Sequence, residues 1–92
     1  MKRALLFVVL LVSACAAPPV QEMSDARQAI RAARAAGAAQ RAPGALQNAE
    51  QFLATAEQEL RSGDYREARR AATSARARAG EALAASRSVA NN

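Results

Sequence analysis

Cys15 is the one residue whose type and neighbours specify a reaction. It follows Leu11-Val12-Ser13-Ala14, and upstream lie a basic start, Lys2-Arg3, and an apolar run from Ala4 to Val12. A thiol just past a short apolar run, preceded by small side chains, is what a lipid-transferring enzyme and then a signal peptidase require. The expected chemistry is a thioether between the Cys15 sulfur and a diacylglycerol, cleavage between Ala14 and Cys15, and acylation of the new amino group. Val12 stands where Leu is commonest, a tolerated departure. The apolar run is too short to span a bilayer, for which about 20 residues are needed. The competing reading is an ordinary secretory signal, cut at Ala14 or Ala17, in which the thiol is incidental. Ala16, not Asp, follows the cysteine. With two membranes, the expected destination is therefore the outer membrane, facing the periplasm; with one, it is the plasma membrane.

Little other chemistry is open to this chain. It has no His and no Trp, and Lys2 is its only lysine. Histidine-dependent triads, Schiff-base lysines and His/Cys metal sites are thereby excluded. With one thiol there is no disulfide framework. The carboxylates are scattered among arginines, so the chain reads as a non-enzyme. It is expected to need no metal and no cofactor beyond the covalent diacylglycerol and N-acyl chain on Cys15. The formal charge is +5 and the sequence pI about 11.0. Loss of Lys2 and Arg3 with the signal leaves eleven arginines against eight acids, about +3. Aromatic residues make up only 3% of the chain, too few for stacking on bases. Neither nucleic acid nor a small-molecule substrate is an expected partner. The expected partners are membrane lipid through the anchor, an envelope protein or a second copy, and peptidoglycan.

The elements that carry these residues are helices. The 51% hydrophobic content is mostly alanine, and past the signal the larger apolar residues are few. Such a chain builds helices rather than a broad core, since Ala and Arg are strong helix formers. Three divisions follow: residues 1–14 as signal, 15–21 as the acylated cysteine and a Pro18-Pro19 tether, and 22–90 as an alanine-rich helical domain. The expected fold is all-α, a small antiparallel three-helix bundle made of a helical hairpin and a first helix.

A first helical run spans roughly Val20 to Gln40, with Met23, Ala26, Ile30, Ala33 and Gly37 forming one apolar seam. Arg27, Arg31 and Arg34 flank that seam. Ser24 or Asp25 is a candidate cap if the run begins late. Pro43 suits the first turn of a second run, to about Ser62. Its seam is Leu46, Ala49, Leu53, Ala56 and Leu60, strict a/d heptad positions. Gly63 ends it, and Asp64 with Glu67 resembles a capping box opening the third run. That run has the seam Tyr65, Ala68, Ala72, Ala75, Ala79 and Ala82 and continues to about Val89. The short Gly63-Asp64 connection makes the second and third runs antiparallel. Glu50 and Glu57, at e positions, are expected to pair with Arg76 and Arg69 on the third run and so fix the register. Phe52, at g, is expected to turn toward the first run.

Three segments resemble a known family. They are Asp25-Ala26-Arg27-x-x-Ile30, then Gly37-Ala38-Ala39-x-x-Ala42-Pro43, then Ala49-Glu50-x-x-Leu53 through Gly63-Asp64-Tyr65-x-x-Ala68. Over about Val20 to Ala85 the chain resembles small bacterial lipoproteins of domain-of-unknown-function family 4398. The resemblance implies an all-helical envelope domain, sometimes fused to peptidoglycan-binding OmpA-like modules. It assigns no functional residues. Gln40 and Arg41 stand where related sequences often place an aromatic residue before Ala-Pro. A lesser likeness, to one tetratricopeptide helix pair, rests on Phe52, Ala56, Gly63-Asp64-Tyr65, Ala68 and Ala75. A repeat array needs several copies, and here there is one. The functional expectation is a non-enzymatic, lipid-anchored envelope protein with a helical interaction surface. The alternative is a structural spacer or a protein bound non-covalently to peptidoglycan.

Overall fold

The structure, a computed structural model, describes residues 17–91. The signal segment, the Ala14–Cys15 cleavage position and Cys15 itself lie outside the described residues. Four helices follow in order: α1 (Val20–Ala35), a single turn α2 (Ala38–Arg41), α3 (Pro43–Arg61) and α4 (Tyr65–Ala90). No strand occurs among the described residues. The fold is all-α, a three-helix bundle of α1, α3 and α4.

Local chemistry sets the boundaries. Pro19, buried, precedes α1, and its carbonyl accepts from the Met23 amide at 3.0 Å. Ser24 and Asp25 lie inside the helix instead of capping it. Their side chains accept from Gln28 Nε2 at 3.2 Å and Gln21 Nε2 at 2.8 Å. Helix α1 stops at Ala35, short of the expected Gln40. The cause is Gly37, whose φ of 86° is left-handed. Glycine adopts that conformation without the Cβ clash that other residues suffer, and so ends a helix. Gly37 fits the seam by spacing, yet works as the break. Arg41 Nη1 then donates to the Ala36 carbonyl at 3.3 Å, satisfying one of the groups the break exposes.

Pro43 opens α3 as expected, having no amide to leave unpaired. At its other end Asp64 N donates to Glu59 O at 2.9 Å across Gly63, a left-handed glycine with φ 81°. Asp64 Oδ1 then accepts from Glu67 N at 3.3 Å and caps α4. That tight turn sends α4 back along α3.

The core divides into two clusters along the bundle. Near the Gly63 turn, Met23 and Ala26 meet Ala56, Ala71, Ala72 and Ala75. Farther along, Ile30, Ala33 and Ala38 meet Leu46, Ala49, Ala79 and Ala82. Leu53 packs against both. These pairings run α1 parallel to α4, with α3 antiparallel to both. On α4 the seam from Ala68 to Ala82 is fully buried, and every one of its five side chains is alanine. Small knobs of this kind let helix axes approach closely. Past the seam, Ser86 is fully buried, and its hydroxyl donates to Ala82 O at 2.7 Å. Backbone supplies the partner that a buried polar group needs.

Phe52 departs from expectation. It lies half-buried in the groove between α3 and α4, beside Ala71 and Ser74, and not toward α1. Leu53, one residue on, faces Ile30 of α1 instead. The reason is geometric. Helix α1 occupies the e side of α3, so a g position turns to the opposite flank.

These contacts predict the stability of three variants in urea denaturation. Gly80, an exposed helical position with open space at its Cβ, should gain about 0.5–1 kcal/mol on Gly80→Ala. Gly37→Ala should lose about 1–2 kcal/mol because its φ is left-handed. Ala72→Leu, on the closely packed seam, should lose about 1–3 kcal/mol through overpacking.

Candidate functional site

The flank shared by α1 and α3 is where the charged side chains converge. Arg27, Arg31 and Arg34 recur at steps of four and three, which puts them on one face of α1. Glu50, Ala54 and Glu57 have the same spacing on α3, which runs the other way. Arg34 donates to Glu50 Oε1 from Nη2 at 2.6 Å and from Nε at 3.1 Å. Arg27 Nη2 lies 3.6 Å from Glu57 Oε1. Between these two pairs opens a groove of about 240 Å³, with Ile30, Leu53 and Ala54 also lining it. All four paired side chains are more than a third exposed, so solvent screens them and each pair contributes about 0–1 kcal/mol.

A second charged flank joins α1 to α4. Arg76 Nη1 lies 3.6 Å from Asp25 Oδ2, and Arg69 Nε donates to Glu22 Oε1 at 3.4 Å. Arg69 also donates from Nη2 to the Ala17 carbonyl at 3.0 Å. Within the stretch expected as a tether, Ala17 and Pro18 are exposed, Pro19 is buried and α1 begins at Val20.

Glu50, Glu57, Arg69 and Arg76 therefore all take part in interhelix ion pairs, but not with one another. Glu57 meets Arg27 rather than Arg69, and Glu50 meets Arg34 rather than Arg76. The e positions of α3 and the matching positions of α4 both face α1, the element that closes the bundle. An expectation built on a two-helix hairpin assigns them to the wrong flank. The partners that sequence reasoning missed are Glu22, Asp25, Arg27 and Arg34. Arg27 and Arg34 were legible as flanking the α1 seam, and pairing them with the e-position glutamates needed only the third helix. Two further pairs, Arg70–Glu67 at 3.6 Å and Arg78–Glu81 at 3.1 Å, lie within α4.

Other concavities are also shallow. One of about 210 Å³ lies under Phe52 between α3 and α4, and one of about 440 Å³ lies beside the α2 corner, lined by Arg34, Gln40, Pro43 and Gln47 among others. Among the described residues no cluster of His, Cys, Asp or Glu is placed to hold a metal ion. None of their helices is long and apolar enough to cross a membrane.

Fold and surface together define a small alanine-packed three-helix bundle with ion pairs along two of its flanks. The family whose description reads "Domain of unknown function (DUF4398)" matches residues 21–92, and the chain belongs to that family. No curated protein and no solved structure matches it.

Arg34 and Glu50 provide a direct measure of this flank. A double-mutant cycle with Arg34→Ala and Glu50→Ala should give a coupling of no more than about 1 kcal/mol in thermal or urea unfolding. In about 1 M salt, where screening acts over roughly 3 Å, most of that coupling should vanish.

Proposed function

We propose that this is a non-enzymatic, lipid-anchored protein of the cell envelope that works through contacts of its helical surface. The reading is carried by Leu11-Val12-Ser13-Ala14-Cys15 behind a basic, apolar leader. Acyl chains on Cys15 make a stable anchor, because each buried methylene contributes about 0.8 kcal/mol and two or three chains act together. Ala16 after the cysteine favours the outer membrane, with the bundle in the periplasm. Two structural features agree with a closely tethered bundle that works through its surface. The chain is fastened to the bundle at Ala17, two residues beyond Cys15, by Arg69. The ion pairs between helices occupy exposed flanks, where a partner meets them. Membrane lipid is the partner of the anchor; an envelope protein or a second copy is the partner of the surface.

A second reading, a spacer that holds or touches peptidoglycan without a covalent link, draws on one observation. Helix α4 has 26 residues, so the bundle reaches about 39 Å at roughly 1.5 Å per residue. Retention of the purified protein on isolated sacculi would favour it over the first.

Mass spectrometry of the membrane fraction tests the anchor. The amino-terminal peptide should begin at Cys15 and carry diacylglycerol and an N-acyl chain. Cys15→Ala should leave the leader uncut and abolish acylation. Recovery of the unmodified chain from cytosol would overturn the proposal.

A further inference from the structure

The ladder between α1 and α3 lacks a rung. Along α1 stand Arg34, Arg31 and Arg27; opposite them on α3 stand Glu50, Ala54 and Glu57. The outer rungs are closed by the two ion pairs. The middle one sets an exposed guanidinium against an exposed methyl group. Arg31 forms no ion pair among the described residues, and it lines the groove of about 240 Å³ at that level. It also sits four residues after Arg27 and three before Arg34, spacings at which like charges on a helix repel. A carboxylate entering there would relieve that repulsion and meet the planar fork of donors that guanidinium offers.

The floor of the groove is aliphatic: Ile30, Leu53 and Ala54. It has no aromatic ring on which a sugar could stack, and its polar groups are the charged rims alone. A side chain pair of Glu or Asp with a neighbouring aliphatic residue matches both parts, the cation and the floor. We propose that this groove receives an acidic side chain, presented beside an aliphatic one on a helix of another protein. The inference gives a site and a partner chemistry to the surface-contact reading above, on which it rests; it does not depend on the anchor.

The test uses the full-length protein in detergent micelles, with isotope-labelled arginine Nε–Hε groups followed by NMR. The probe is a synthetic amphipathic helix bearing Glu and Leu one turn apart, and its control carries Lys for Glu. The Glu helix should shift the Arg31 Nε–Hε signal saturably, and the Lys helix should not. Arg31→Gln and Ala54→Glu should each weaken binding by about tenfold or more, the change expected from losing one charge-assisted contact. Ala54→Glu supplies the missing rung from within, and a cooperative melt close to the parent's temperature verifies that this variant folds. Unchanged binding by Ala54→Glu, or an even shift across all arginines, overturns the proposal. So does a response of Arg31 to soluble muropeptides and not to the Glu helix, which would make the wall the partner. A shift of Arg31 on concentrating the protein alone would assign the carboxylate to a second copy, with the same consequence. In cells, a photo-crosslinking residue at Ala54 should capture a protein whose crosslinked segment contains Glu or Asp. Capture from exposed Ala77 on α4 but not from Ala54 would refute the groove and keep the surface reading. Capture from neither would refute both.

Discussion

Close approach of helix backbones along α4 is the constraint on which the other features depend. From Ala68 to Ala82 the seam of α4 offers only alanine to its neighbours, all of it fully buried. Alanine removes little apolar area from water and loses no rotamer entropy when packed. What it permits is proximity, and with it many small dispersion contacts between backbones. The bulk comes from elsewhere: Met23 and Ile30 on α1, and Leu46 and Leu53 on α3, fill the spaces that the alanines leave. Charged side chains of α3 and α4 reach across to α1 on its two flanks, adding to a packing that the apolar seams already provide.

The three flanks of the bundle are not equivalent. Among the described residues, the interhelix ion pairs lie on the α1–α3 and α1–α4 flanks, and Phe52 covers the α3–α4 flank. The α3–α4 hairpin is already set by its capped turn at Gly63-Asp64. Helix α1 reaches the hairpin through the corner at Gly37 and α2, where Ala38 is buried in the core. Ion pairs form on both of its sides in the register that its buried seam sets. Met23, Ala26, Ile30 and Ala33 then supply the burial that holds it there.

The sequence made the seams legible because helical spacing is a local property. The buried set of α1 is the expected one without Gly37, and the a/d positions of α3 and the seam alanines of α4, Ala68 to Ala82, turn inward. Two features were hidden for one reason: each depends on where a third element sits. Phe52 and the e-position glutamates have directions fixed by the side of α3 on which α1 lies, and a heptad pattern does not encode that side. Gly37 was hidden differently. It falls at a seam spacing, and only the backbone conformation reveals that it ends the helix. Ala71 and Ser86, both buried, fell outside the seam: Ala71 adjoins Ala72, which fills the same turn of the seam, and Ser86 continues its spacing from Ala82 but is polar. The groove on α1 and α3 was half visible, as three arginines at helical spacing with no statement of what they faced.

The hydrogen bond from Arg69 to the Ala17 carbonyl bears on mechanics. Arg69 belongs to the longest helix and also meets Glu22 at the base of α1. A chain acylated at Cys15 would have hardly any slack between lipid and helix. The lipid would then lie two residues from the carbonyl that Arg69 holds, so the base of the bundle would be kept close to the bilayer surface.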